Sequence, residues 1–191
     1  TDSKMTPSLQ RAIQAFQAHQ YEEAASAFEA ALAADPDDIQ ARAGWGQSLC
    51  LCGRLYSGLA ALNEAGSDLL ELAEDDGEVS YVLEIVQQLQ QFGDHLSAQR
   101  LCAGALTLAP EDGRALQLMA VSAAQLNRRA EALEAAQHAC RLQPDNTMLQ
   151  VLLASVEADA NQTEQAAQRL QTLLSRELPA REAFRARKEM A

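Results

Sequence analysis

Aromatic side chains are scarce in this chain: four phenylalanines, three tyrosines and one tryptophan make up 4% of its 191 residues. A core of that composition has to be filled by aliphatic and small side chains, which close contact between helices does well. β-Branched residues and glycine are sparse too, so no stretch reads as a strand and a sheet is excluded. No apolar run approaches the roughly 20 residues that span a bilayer, which excludes membrane insertion through a helix. The opening TDSKMTPS has neither the positive region nor the apolar segment of a secretory signal. Basic residues number 15 against 27 acidic ones, and the formal charge of −12 would repel a phosphate backbone. Nucleic acid is thereby excluded, and a basic or neutral protein or peptide is favoured as partner.

Cysteine is present but poorly placed for chemistry. Cys102 and Cys140 fall where a helix pair needs a small buried residue, and a buried thiol behaves as a small hydrophobe. Cys50 and Cys52 form C-x-C on an expected helix, where residues two apart point to different sides and clamp a metal badly. Reduced thiols suit a cytoplasmic setting. There is no Gly-rich phosphate loop after a strand, no G-x-S-x-G and no H-E-x-x-H, so no catalytic residue, cofactor or metal is expected and the chain is not read as an enzyme. His19, His95 and His138 lie far apart at turns or on outer faces. The acidic run Glu74, Asp75, Asp76 and Glu78 lacks the alternating oxygen ligands of a calcium loop and reads as a solvated turn. Trp45, in AGWGQSL, is expected to pack in the core.

What the chain does have is a period. Small residues recur at Ala24, Gly58, Ala98, Ala132 and Ala166, with spacings of 34, 40, 34 and 34. A second column, Ala31, Ala65, Ala105 and Ala139, has spacings of 34, 40 and 34. A third, Ala12, Gly46, Val86, Ala120 and Ala154, falls on the helix before, and Pro36, Pro110 and Pro144 each close an apolar helix. Two columns place the same six-residue insertion between Ala65 and Ala98. The period is that of a helix–turn–helix array. Small side chains at a crossing let two backbones approach, and bulk at Ala132 or Ala166 would overpack it at a cost of about 1–3 kcal/mol.

The segments AHQYEEAASAFEAALAADPDD, QFGDHLSAQRLCAGALTLAPED and QLNRRAEALEAAQHACRLQPDN resemble the tetratricopeptide repeat family, and the resemblance to this bacterial-type array covers residues 5 to 180. It implies an all-α, right-handed α-solenoid of about five repeats plus a C-terminal helix, forming a single array over residues 1–191. The repeats run over 5–38, 39–78 with the insertion, 79–112, 113–146 and 147–180. Residues 181–191, REAFRARKEMA with Phe184 at a bulky position, read as a capping helix or as the start of a truncated repeat. Repeat two carries Gly58 where alanine is usual and lacks the closing proline. Its second helix is expected to run on, with Gly77 as the stop and a change of pitch between Gly66 and Gly77. Ser8 and Arg11, polar where the family is apolar, suit an amino-terminal cap.

The resemblance also implies that the first helices of each pair line a concave groove that holds a protein or peptide segment. Register places Leu9, Ile13 and Phe16, then Gln40, Ala43, Gln47 and Cys50, then Leu83, Gln87, Gln90 and Gln91 on that lining. Gln117, Val121, Gln125, Val151, Ser155 and Asp159 complete it. The glutamines could hydrogen-bond a peptide backbone with little regard to its charge. Family members that clamp a terminal carboxylate use Lys, Arg and Asn, whereas here those places read Leu9, Ile13, Ala43, Gly44 and Gln47, so that ligand is not expected. Basic residues cluster only at Arg128 with Arg129 and in the tail at Arg181, Arg185, Arg187 and Lys188. The tail also looks like the last repeat before a sulfotransferase or glycosyltransferase domain, which makes a substrate-presenting accessory domain of a larger enzyme the alternative reading. Self-association through the tail is a further expectation.

Overall fold

The structure, a computed structural model, describes residues 6–175, and among them there are ten helices and no strand. They run α1 (Pro7–Gln17), α2 (Tyr21–Ala34), α3 (Ile39–Leu51), α4 (Leu55–Asp76), α5 (Ser80–Gln91), α6 (His95–Leu108), α7 (Gly113–Gln125), α8 (Arg129–Leu142) and α9 (Thr147–Asp159), followed by α10 over residues 163–175. Successive helices pair as hairpins, so the fold is all-α and of the α-solenoid class. The tail with Phe184, Arg181, Arg185, Arg187 and Lys188 lies outside the described residues. The chain divides into two compact units, Thr1–Leu118 and Met119–Ala191, with the boundary inside α7.

Local sequence explains where each helix starts and stops. The triplets Pro36-Asp37-Asp38, Pro110-Glu111-Asp112 and Pro144-Asp145-Asn146 each end on the residue that caps the next helix. Asp38 accepts from the Ala41 amide at 2.9 Å, Asp112 from Ala115 at 2.8 Å, and Asn146 from Met148 and Leu149 at 3.1 and 3.3 Å. A side-chain acceptor there satisfies donors that the first helical turn leaves unpaired. The turn inside each hairpin holds one left-handed residue: His19, Gly53, Gly93, Asn127 and Asn161, with φ between 58° and 87°. The following amide reaches back to the helix just ended, as in Gln20 to Ala15, Arg54 to Leu49, Asp94 to Leu89, Arg128 to Ala123 and Gln162 to Glu157, at 2.8–2.9 Å. This closes the open carbonyls of the first helix and turns the chain sharply.

In the first unit, the hairpins α1/α2, α3/α4 and α5/α6 meet at the small columns. Ala12, Ala24, Val86, Ala98 and Ala105 are fully buried. Gly58 departs from alanine because its partner is Gly46: a Cβ on Gly58 would stand 2.7 Å from the Gly46 carbonyl oxygen, and one on Gly46 would stand 2.9 Å from that of Gly58. The insertion lies within the second helix. α4 has 22 residues against 14 for α2 and α6, and it stops at Gly77 (φ 72°), whose N–H donates to the Ala73 carbonyl at 2.8 Å. Trp45 is half-buried and packs on the core of α1 and α2. In the second unit, Ala123, Ala132 and Val156 form a core with Leu133 and Leu152 around them, and Ala154 and Ala166 are buried as their columns demand.

Candidate functional site

The first helix of each hairpin presents two kinds of position. One residue after the small column come Ile13 and Gln47, half-buried, and Gln87, exposed, on α1, α3 and α5. Gln40 is exposed at the start of α3, and Ala43 and Gln117 are half-buried. Three residues before the same column stand Leu9 and Leu83, 5% and 1% exposed. These two correct the groove expected from register: they are core residues. Leu9 belongs with Phe28 and Ala41 to the cluster that joins the first hairpin to α3. Cys50 is likewise buried. In the second unit Val121 is half-buried, and Gln125, Val151, Ser155 and Asp159 are exposed.

Two of the glutamines already have partners. Gln87 Oε1 accepts from Arg114 Nη2 at 3.1 Å, and Gln90 Nε2 donates to the Leu118 carbonyl at 2.7 Å. Arg114 therefore sits on the same face, a cation the register did not bring to notice. Arg42, four residues before Gly46, donates to the Pro36 carbonyl at 2.6 Å and pairs with Asp68. The first helices of the first unit thus carry two guanidinium groups beside their amides, Arg114 bonded to a neutral amide and Arg42 paired with a carboxylate.

A second constellation went unread in the sequence. Glu157, 3% exposed at its side chain, takes two bonds from Arg169: Nη2 to Oε1 at 2.7 Å and Nε to Oε2 at 3.1 Å. Arg169 Nη1 donates to Gln150 Oε1 at 2.6 Å. The hydrogen bond to Glu157 raises the pKa of Arg169 above its already high usual value, so the guanidinium keeps its charge. The two residues stand three after Ala154 and Ala166, where the other hairpins carry Ala15 with Ala27, Leu49 with Ala61, Leu89 with Leu101, and Ala123 with Ala135, all buried. That break in register was the available signal. The pair lines a depression of about 500 Å³ with Gln150, Gln165, Gln168 and Thr172.

Three of the four thiols are shifted away from their reactive form. Burial, with a smaller push from Cys52, raises Cys50 to about 11, and burial raises Cys102 to about 12. Cys140 is also raised by burial, against the opposing pull of Arg169. At neutral pH these groups are protonated. All four cysteines are free thiols. Among the described residues no group of three His, Cys, Asp or Glu is placed to hold a metal, and no helix is long and apolar enough to cross a membrane.

No protein-family model and no curated protein matches the chain. Solved structures do. MamA of AMB-1 superposes with a TM-score of 0.65 at 18% identity, over 87% of this chain and 95% of that one. MamA of MSR-1 gives 0.64 at 20%, over 92% and 96%. A MamA fragment from residue 41 onward, from Desulfovibrio magneticus RS-1, gives 0.65 at 17%, over 88% and 92%. At such identities the likeness establishes the fold, a tetratricopeptide-type arrangement of helix pairs.

Proposed function

We propose that this protein is an interaction scaffold that holds a protein or peptide segment along the first-helix face of its repeats. One observation carries the reading. Along α1, α3 and α5 the column Ile13, Gln47, Gln87 keeps part of its surface in solvent while the neighbouring Leu9 and Leu83 are buried. A face left open on successive helices, apolar at Ile13 and amide-rich beyond it, suits an extended or helical segment whose backbone can bond to side-chain amides. The chain's charge of −12 favours a basic or neutral occupant.

The test is a Gln47→Arg, Gln87→Arg double variant. It should unfold at the wild-type temperature and lose the partner that cross-links to α3 and α5 in the wild type. A variant that captures the same partner, cross-linked at the same positions, would refute the face.

A further inference from the structure

Between the second helices α4 and α6 a guanidinium makes the bridge: Arg100 Nη2 donates to Asn63 Oδ1 at 2.8 Å and to Ser67 Oγ at 3.0 Å. The repeat carries this arrangement back to α2 and α4. Glu29 stands 34 residues before Asn63, and Ala60 stands 40 before Arg100, the two spacings of the small-residue columns. The earlier pair of helices therefore has a stronger acceptor, a carboxylate for an amide, while a methyl group stands at the register of the cation.

The same face of α2 opens on a depression of about 270 Å³, lined by Glu22, Ser26 and Glu29 of α2, Trp45 of α3, and Cys52 and Arg54 of the turn after it. The three α2 residues, four and three apart, share one helical face. Neither Glu22 nor Glu29 makes an ion pair among the described residues. Two carboxylates against the one guanidinium of Arg54 leave the lining with a net −1. Trp45 departs from its column at the same place. Ile85 and Leu153, at its register, are buried, whereas the indole is half-buried, packed on the core of the first hairpin and lining the depression as well. An indole beside carboxylates favours an organic cation, the ring through its quadrupole and the carboxylates through charge-assisted hydrogen bonds. The volume falls short of the roughly 300 Å³ at which small-molecule sites begin, and it suits a single side chain.

We propose that this depression seats a guanidinium group, the side chain of an arginine from another molecule, with Glu29 taking the part that Asn63 takes toward Arg100 and Trp45 beside the cation. This goes beyond the scaffold reading and does not depend on it, since Glu22, Ser26 and Glu29 belong to a second helix and not to the first-helix face.

Trp45 is the only tryptophan, so its emission reads the site in the full chain. Titrated with acetyl-arginine amide at low salt, the wild type should show a saturable change in that emission, and the citrulline analogue, similar in shape but uncharged, should show none. Glu22→Gln with Glu29→Gln should weaken binding roughly tenfold, and so should Ala60→Arg, which supplies from α4 the cation that Arg100 supplies from α6. All three positions are exposed, so helix content should not change. A peptide of alanines around one arginine that binds roughly tenfold more tightly than the single amino acid supports the seat with a polypeptide as its source, and equal binding supports it with the free amino acid. The absence of a saturable change with the arginine probe, equal binding of the citrulline analogue, or wild-type affinity in either variant overturns the proposal.

Discussion

Five turns ask one residue each to take a left-handed backbone, and the chain answers with two glycines, two asparagines and a histidine. Only glycine does this without strain. Gly93→Ala should therefore cost about 1 kcal/mol although no atom lies within 4 Å of the new Cβ, and Asn161→Gly should be neutral or slightly stabilising; denaturant midpoints decide both. The buried thiols have a pH consequence. Unfolded thiols lose their protons from about pH 8.5, whereas Cys50 holds its proton to about 11 and Cys102 to about 12. Their folded values are raised, so the stability they contribute is complete below about pH 8.5 and declines as pH rises toward the folded values. Urea titrations between pH 8 and 11 should show that decline, and Cys102→Ala should make it shallower. An equal slope in that variant would mean other groups are responsible.

Helix pairs tolerate one another because of what stands at each crossing, and α9 with α10 is the pair that breaks the rule. An ion pair stands where its four counterparts have apolar side chains. Arg169→Leu leaves the Glu157 carboxylate buried without its cation and should cost about 3–5 kcal/mol. Adding Glu157→Leu should restore most of that loss, since two leucines suit the place that Leu89 and Leu101 fill in the third hairpin. A double variant as unstable as the single one would show that the cluster's bonds, including that to Gln150, hold α10 in position. The insertion is legible in the same terms. An insertion with no closing proline lets the helix run on, 22 residues against 14 in α2 and α6, and Gly77 supplies the left-handed stop that ends it.

A molecule with net charge −12 sets up a field that attracts cationic partners before contact. Capture of a basic segment by the first-helix face should weaken as salt shortens the screening length from ~10 Å at 0.1 M to ~3 Å at 1 M. Affinity independent of salt in that range would leave the amides and apolar contacts as the whole attraction. Helix pairs, their small crossing residues and the prolines that close the second helices were legible from residue order, because each rests on backbone geometry within one turn or on a steric period that repeats. Covering was not legible. Leu9 shares a helix face with residues that stay open, and it is packing against α2 and α3, away from it in the chain, that takes it out of water. Glu157 and Arg169 stand out as a break in register, yet nothing along the chain says that the carboxylate is buried or that Gln150 completes its cluster. Burial belongs to whichever helix packs across a position, and that is set by three-dimensional packing and not by the order of residues within a turn.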